Sequence, residues 1–214
     1  MDKYQKEIKK LWIKEREALK EKIKKIGLDS QLIKKVNLFS ERCFLDENEK
    51  EKICQKLIEL DDFTLSVLMK DPKRQNIYEK TLLNHLKEAK IKAEILPNHG
   101  RNAYYLINDE IITNLDRKPK NVKSLDFKIS LSNKEIFIVH KYTEVSGGSQ
   151  DNQFQDVLNQ ISQIGKLTKD KILFCLDGDY YNKNKINQLK TDNKNIKVTK
   201  IENIINDLKK INSI

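Results

Sequence analysis

The sequence predicts an α/β (α+β) protein in which a mixed β-sheet is flanked by helices and preceded by an N-terminal helical module. Three observations lead there. Apolar residues recur at helical spacing through about residue 90. Leu125, Phe127, Ile129 and Leu131 alternate with Asp126, Lys128 and Ser130, the pattern of a half-buried strand. Two runs apolar on both parities, EIFIVHKYT (135–143) and KILFCL (171–176), enclose a segment with helical periodicity. Residues 1–70 are read as the helical module and 71–214 as the second domain.

In residues 3–26, Tyr4, Ile8, Leu11, Trp12, Leu19, Ile23 and Ile26 form one stripe, and Gly27 follows as a C-cap. Asp29–Val36, Asp46–Leu60 and Asp62–Met69 read as short helices, with Asp29, Asp46 and Asp62 or Asp61 as N-cap or first-turn residues. Pro72 opens a helix from Lys73 to Lys90. At 100° per residue, Gln75, Glu79, Leu82, Leu83, Leu86 and Ala89 share one side. A carboxylate amid that stripe is costly without a partner. Glu79 therefore snorkels at the edge, pairs with a lysine, or serves a site.

Ala103–Ile107 and Glu110–Thr113 flank Asn108-Asp109 as a hairpin. The 125–131 strand turns at Asn133-Lys134 into a central strand, Glu135–Thr143, which Gly147-Gly148 ends. Ser149 is a candidate cap for a helix from Gln150 to about Gly165, its apolar face Phe154, Val157, Leu158, Ile161 and Ile164. Strand Lys171–Leu176 follows and ends at Asp177-Gly178. A helix at Asn184–Thr191, a strand Ile196–Ile201 and a last helix to Lys210 complete the order.

The chain has 214 residues and a formal charge of +10, with 42 basic residues of which 5 are arginine. That charge suits a polyanion, although lysine-rich surfaces also occur without one. No apolar run reaches the ~18 residues of a membrane helix, and the start, MDKYQKEIKKLW, carries no apolar signal core. The odd cysteine count, Cys43, Cys54 and Cys175, with no CxxC, fits free thiols in a reducing cytoplasm. His85, His99 and His140 are too scattered for a zinc motif.

Asp126 and Lys141 lie on successive strands of a tight meander, which can place them side by side at one end of the sheet. That pair suits phosphodiester hydrolysis. A carboxylate supplies oxygen to Mg²⁺, and an ammonium positions water and offsets charge on the phosphate.

Here the sequence resembles the catalytic core of the PD-(D/E)XK nuclease superfamily, specifically the type II restriction endonucleases. The resembling stretch is SLDFKISLSNKEIFIVHKYTEVSGGSQDNQ, Ser124 to Gln153. DPKRQNIYEKTLLNHL and HGRNAYYLI before it, and ILFCLDGDYY after it, extend the likeness over residues 71–182. The resemblance implies an αβββαβ core and Mg²⁺-dependent, site-specific cleavage of double-stranded DNA by a homodimer. It also implies Asp126 as metal ligand and Lys141 as the residue orienting water. The family expects an acidic residue two before that lysine, where Val139 stands here. Asp151, in the first turn of the following helix, and then Glu144 are the candidate replacements, although Asp151 also suits the helix dipole. Because the superfamily's first helix often supplies a glutamate, Glu79 joins the candidate metal ligands, with Gln75 one turn earlier in support. His140 points away from Lys141 into the other face. Arg101, Lys118, Lys120 and Lys123 are candidate backbone contacts, and Gln150, Asn152 and Gln153 candidates for base edges or for holding the loop. The alternative is a DNA-binding protein with a degenerate, non-cleaving core.

Overall fold

A computed structural model describes residues 2–69, 76–107, 109–120, 122–131, 134–144, 147–162, 164 and 171–212. Gln75, the Pro72 helix start, Asn108 and Gly165 lie outside the described residues. The chain divides into two compact units, Met1–Tyr78 and Glu79–Ile214.

The first unit holds α1 (Lys3–Ile26), α2 (Ser30–Cys43), α3 (Glu47–Ile58) and α4 (Asp62–Leu68). An aspartate caps each one. Asp2 and Asp46 form capping boxes with Gln5 and Glu49, Asp29 accepts the Leu32 N–H, and Asp61 accepts the Thr64 N–H, both at 2.8 Å. Asp61 is therefore the α4 cap. Asp62 instead meets Lys20 at 2.7 Å and Arg16 at 3.4 Å. Gly27 ends α1 at φ 70°, its N–H bonded to Ile23 O at 2.8 Å. Ile23, Leu32, Val36, Leu57, Leu65 and Leu68 form the core of the unit. Helix α2 runs seven residues past the predicted Val36. Its buried row, Leu32–Val36–Ser40, carries a serine in the last turn, so the apolar pattern fades before the helix does.

These aspartates should make the unit acid-sensitive. Lys22 and the Leu32 N–H hold the Asp29 carboxyl below its ordinary range, the Thr64 hydroxyl and N–H do so for Asp61, and Lys20 does so for Asp62. Their stabilisation is complete above the unfolded value near 4 and is lost as pH falls through the lowered folded values. The urea midpoint reported by Trp12 fluorescence should fall between about pH 5 and pH 3, and Asp29→Asn should shrink the drop. A midpoint insensitive to pH would contradict this account.

The second unit contains a five-stranded sheet in the order β1 (Ala93–Ile95), β4 (Phe127–Leu131), β5 (Lys134–Tyr142), β6 (Lys171–Asp177), β7 (Ile196–Thr199). The β1–β4 and β4–β5 pairs are antiparallel, and β5–β6 and β6–β7 are parallel. The hairpin β2 (Tyr105–Ile107) and β3 (Glu110–Ile112) forms a separate sheet. Helix α5 (Ile77–Glu88) precedes β1, and α6 (Gly148–Ser162) joins β5 to β6. Helices α7 (Lys183–Gln188) and α8 (Ile204–Asn212) follow β6 and β7. Edge strand β1 was not expected, because three residues, AEI, carry too little alternation to signal a strand.

Parity assigns the two faces of the sheet. Phe137, Val139, Ile172, Phe174 and Leu176 pack with Phe154, Val157 and Ile161 of α6. The registers Phe127↔Ile138, Ile129↔Ile136, Ile138↔Leu173 and His140↔Cys175 place those residues on the other face. Both faces of β5 and β6 are therefore buried, as their unbroken apolar runs require.

Candidate active site

Asp126 stands one residue before β4, where the ladder with β5 ends. Its N–H donates to Ile138 O at 2.9 Å, and its carbonyl accepts the Leu96 N–H at 2.9 Å. Its carboxylate Oδ2 accepts the backbone N–H of His140 at 2.7 Å. A side chain thus completes the ladder at this point, which ties the carboxylate to the strand end. Lys141, the next residue, lies on the face opposite His140, and its Nζ is 3.9 Å from Asp126 Oδ2. The two side chains keep 18% and 34% exposure, so the pair is sheltered yet reachable.

Burial pushes the Asp126 carboxyl above its ordinary value; the Lys141 charge and the His140 N–H oppose this, and the Glu79 charge adds to it. Glu79, in the first turn of α5 and half-buried, thus brings a second carboxylate within electrostatic reach of Asp126. A buried carboxylate whose ionisation a neighbouring negative charge opposes is a group that a bound cation relieves. The hard oxygen atoms of both carboxylates fit Mg²⁺.

The structure brings Asp126 and Lys141 together and sets Glu79 to act on Asp126. Asp151 is engaged by two other side chains. The Tyr180 hydroxyl donates to its Oδ1 at 2.5 Å, and Lys185 Nζ lies 3.3 Å from the same oxygen. Those two bonds, Tyr180 first, hold the Asp151 carboxyl below its ordinary range. Lys185 also donates to Tyr180 Oη at 2.7 Å and lies over the Phe154 and Tyr180 rings, at 4.6 and 4.0 Å. Glu144 accepts the Tyr142 hydroxyl at 3.2 Å. Val139 is 2% exposed and packs in the apolar layer under α6.

Among the candidate DNA contacts, Lys118, Lys120, Asn152 and Gln153 are exposed. Lys123 pairs with Asp156 at 3.4 Å, and Arg101 holds Asp116 Oδ1 through Nε and Nη2 at 3.1 and 2.8 Å. Gln150 is half-buried, and its amide oxygen would lie 2.7 Å from a Cβ built on Gly147. Helix α6 starts at Gly148, and Gly147 O accepts the Gln150 and Asp151 N–H groups at 3.0 Å each. The expected Ser149 cap lies outside the described side chains.

His140 is buried against Phe127, with ring centroids 6.1 Å apart. Burial, helped by the Lys141 charge, lowers its pKa to about 3, so the imidazole is neutral. The sequence marks Asp177 only as part of a strand-ending turn. Its carboxylate is in fact buried and accepts the Ile201 N–H at 3.1 and 3.2 Å. No local pattern announces a bond across 24 residues. The Tyr180–Asp151–Lys185 group, built from α6 and the chain after β6, was missed for the same reason.

No family model matches the chain, and no curated protein matches it significantly.

Proposed function

We propose that this chain is a Mg²⁺-dependent site-specific deoxyribonuclease, a type II restriction endonuclease of the PD-(D/E)XK superfamily. One observation carries the reading: a sheltered carboxylate, Asp126, lies 3.9 Å from an ammonium, Lys141, at the end of a central strand, and a second carboxylate, Glu79, acts on the first. The succession α5–β1–β4–β5–α6–β6 also supports it, because the strands pair in the order β1-β4-β5-β6. It has the αβββαβ sequence of that core once the β2–β3 hairpin is set aside.

In this reading Asp126 and Glu79 hold Mg²⁺, which when bound activates water and neutralises phosphate charge. Asp126 is kept in position by the His140 N–H. Lys141 orients the attacking water and offsets the charge that develops on the phosphoryl oxygens. Lys118 and Lys120 contact the DNA backbone, adding affinity that weakens with salt. Cutting both strands of a palindrome requires two copies related by a twofold axis, so the working form is a homodimer on double-stranded DNA. Among the described residues no helix is long and apolar enough to cross a membrane, and the proposed compartment is the cytoplasm, where DNA and Mg²⁺ meet.

Incubation with bacteriophage DNA in Mg²⁺ or in EDTA tests this. Discrete fragments with Mg²⁺ alone are expected. The alternative, a DNA-binding protein with a degenerate core, is favoured by Val139, which places a buried apolar side chain where the superfamily expects an acid. Salt-sensitive binding without cutting would select the alternative, and neither binding nor cutting would sink both.

A further inference from the structure

The back of the same sheet carries a second chemical group. Strands β5 and β6 run parallel with His140 opposite Cys175 and Tyr142 opposite Asp177, so His140, Cys175 and Asp177 share one face. They are 5%, 0% and 4% exposed. One donor atom from each lies within 4.8 Å of the others, in a layer otherwise built of residues such as Ile136, Ile138 and Leu173. Cys175 Sγ donates to Asp177 Oδ2 at 3.3 Å, and the Asp177 carboxylate accepts the Ile201 N–H.

A nitrogen, a sulfur and a carboxylate oxygen form a donor set of borderline softness, which suits Zn²⁺ and not Mg²⁺. Zinc bonds of about 2.0–2.1 Å to nitrogen and oxygen and about 2.3 Å to sulfur give tetrahedral donor–donor edges of roughly 3.4–3.6 Å. The Cys175–Asp177 edge, at 3.3 Å, is close to that size. The Ile201 N–H bonds supply the outer hydrogen bonds that orient a ligating carboxylate.

We propose that His140, Cys175 and Asp177 bind one Zn²⁺ ion, at a site distinct from the Asp126 centre and independent of the nuclease reading. Binding displaces the Cys175 thiol proton to solvent, and three protein donors leave one coordination position. Because the His140 backbone also holds Asp126, the ion braces the strand end that carries the candidate active site.

Titration of the full-length protein with Co²⁺, a spectroscopic substitute for Zn²⁺, tests the site. One equivalent should produce the visible bands of tetrahedral cobalt and a near-ultraviolet thiolate-to-cobalt band, and Zn²⁺ should erase both. The thiolate band should persist in the Cys43→Ser/Cys54→Ser double variant and vanish in Cys175→Ser. His140→Gln should weaken binding at least tenfold. Zn²⁺ should raise the melting temperature of the parent and of the double variant. Absence of the thiolate band in the parent, or its loss in the double variant, overturns the proposal. Persistence of the band in a Cys175→Ser protein with native circular dichroism overturns it too.

Discussion

Asp126→Asn and Lys141→Ala should each lower Mg²⁺-dependent DNA cleavage by roughly 10²–10⁴-fold. Asparagine keeps an oxygen that can accept the His140 N–H, which now binds Oδ2 at 2.7 Å. It removes the charge a cation requires, so activity should fall while the strand end stays in place. Alanine at 126 is a harsher variant, because it strands a backbone N–H at a cost of about 1–3 kcal/mol where water cannot replace the acceptor. Lys141 is 34% exposed, and among the described residues its one ion pair is the 3.9 Å approach to Asp126. Its loss should therefore cost turnover with little loss of stability. Steady-state cleavage of phage DNA, with circular dichroism as the check on folding, separates these effects. Full activity in either variant would remove the pair from the mechanism, and Glu79→Gln should follow Asp126→Asn in direction.

The second large effect belongs to a glycine. Gly178 has φ +93°, and a Cβ built there would lie 2.1 Å from the carbonyl oxygen of Thr143 and 2.6 Å from its carbon. The obstruction is backbone and cannot rotate away. Thr143 is in turn tied to this turn, because its N–H donates to Asp177 O at 2.9 Å and its carbonyl accepts the Tyr180 N–H at 3.2 Å. Gly178→Ala should therefore combine backbone strain of about 1–3 kcal/mol with overpacking of about 1–3 kcal/mol. That is a large share of the roughly 5–15 kcal/mol that holds a domain folded. Urea denaturation should show a loss of at least about 2 kcal/mol. A loss below about 1 kcal/mol would mean that the β6 turn does not pack on the end of β5 as described. The same variant should slow cleavage, since it displaces the strand end that carries Lys141.

Much of the fold was legible because local patterns govern it. The alternation at 125–131, the doubly apolar runs at 135–143 and 171–176, and the aspartates before the N-terminal helices each state a local preference that the structure satisfies. Strand β1 and the last turn of α2 were not legible. Their residues carry weak local signals, and β1 is held by its pairing with β4, distant in sequence. The candidate site divides in the same way. Asp126 and Lys141 could be paired from a hairpin's geometry, whereas the distribution of carboxylates could not. Whether Glu79, Asp151 or Glu144 acts on Asp126 depends on how α5 and α6 pack against the sheet.

The sequence alone determined the element order apart from β1, the antiparallel meander that brings Asp126 to Lys141, and the absence of an acid at position 139. Only the tertiary structure decided that Glu79 acts electrostatically on Asp126, that Asp151 is taken by Tyr180 and Lys185, and that His140, Cys175 and Asp177 converge behind the site. The reason is physical. Periodicity and capping are set within a few residues, but a carboxylate's partners and ionisation are set by whatever burial places beside it, and that follows from packing of the whole chain.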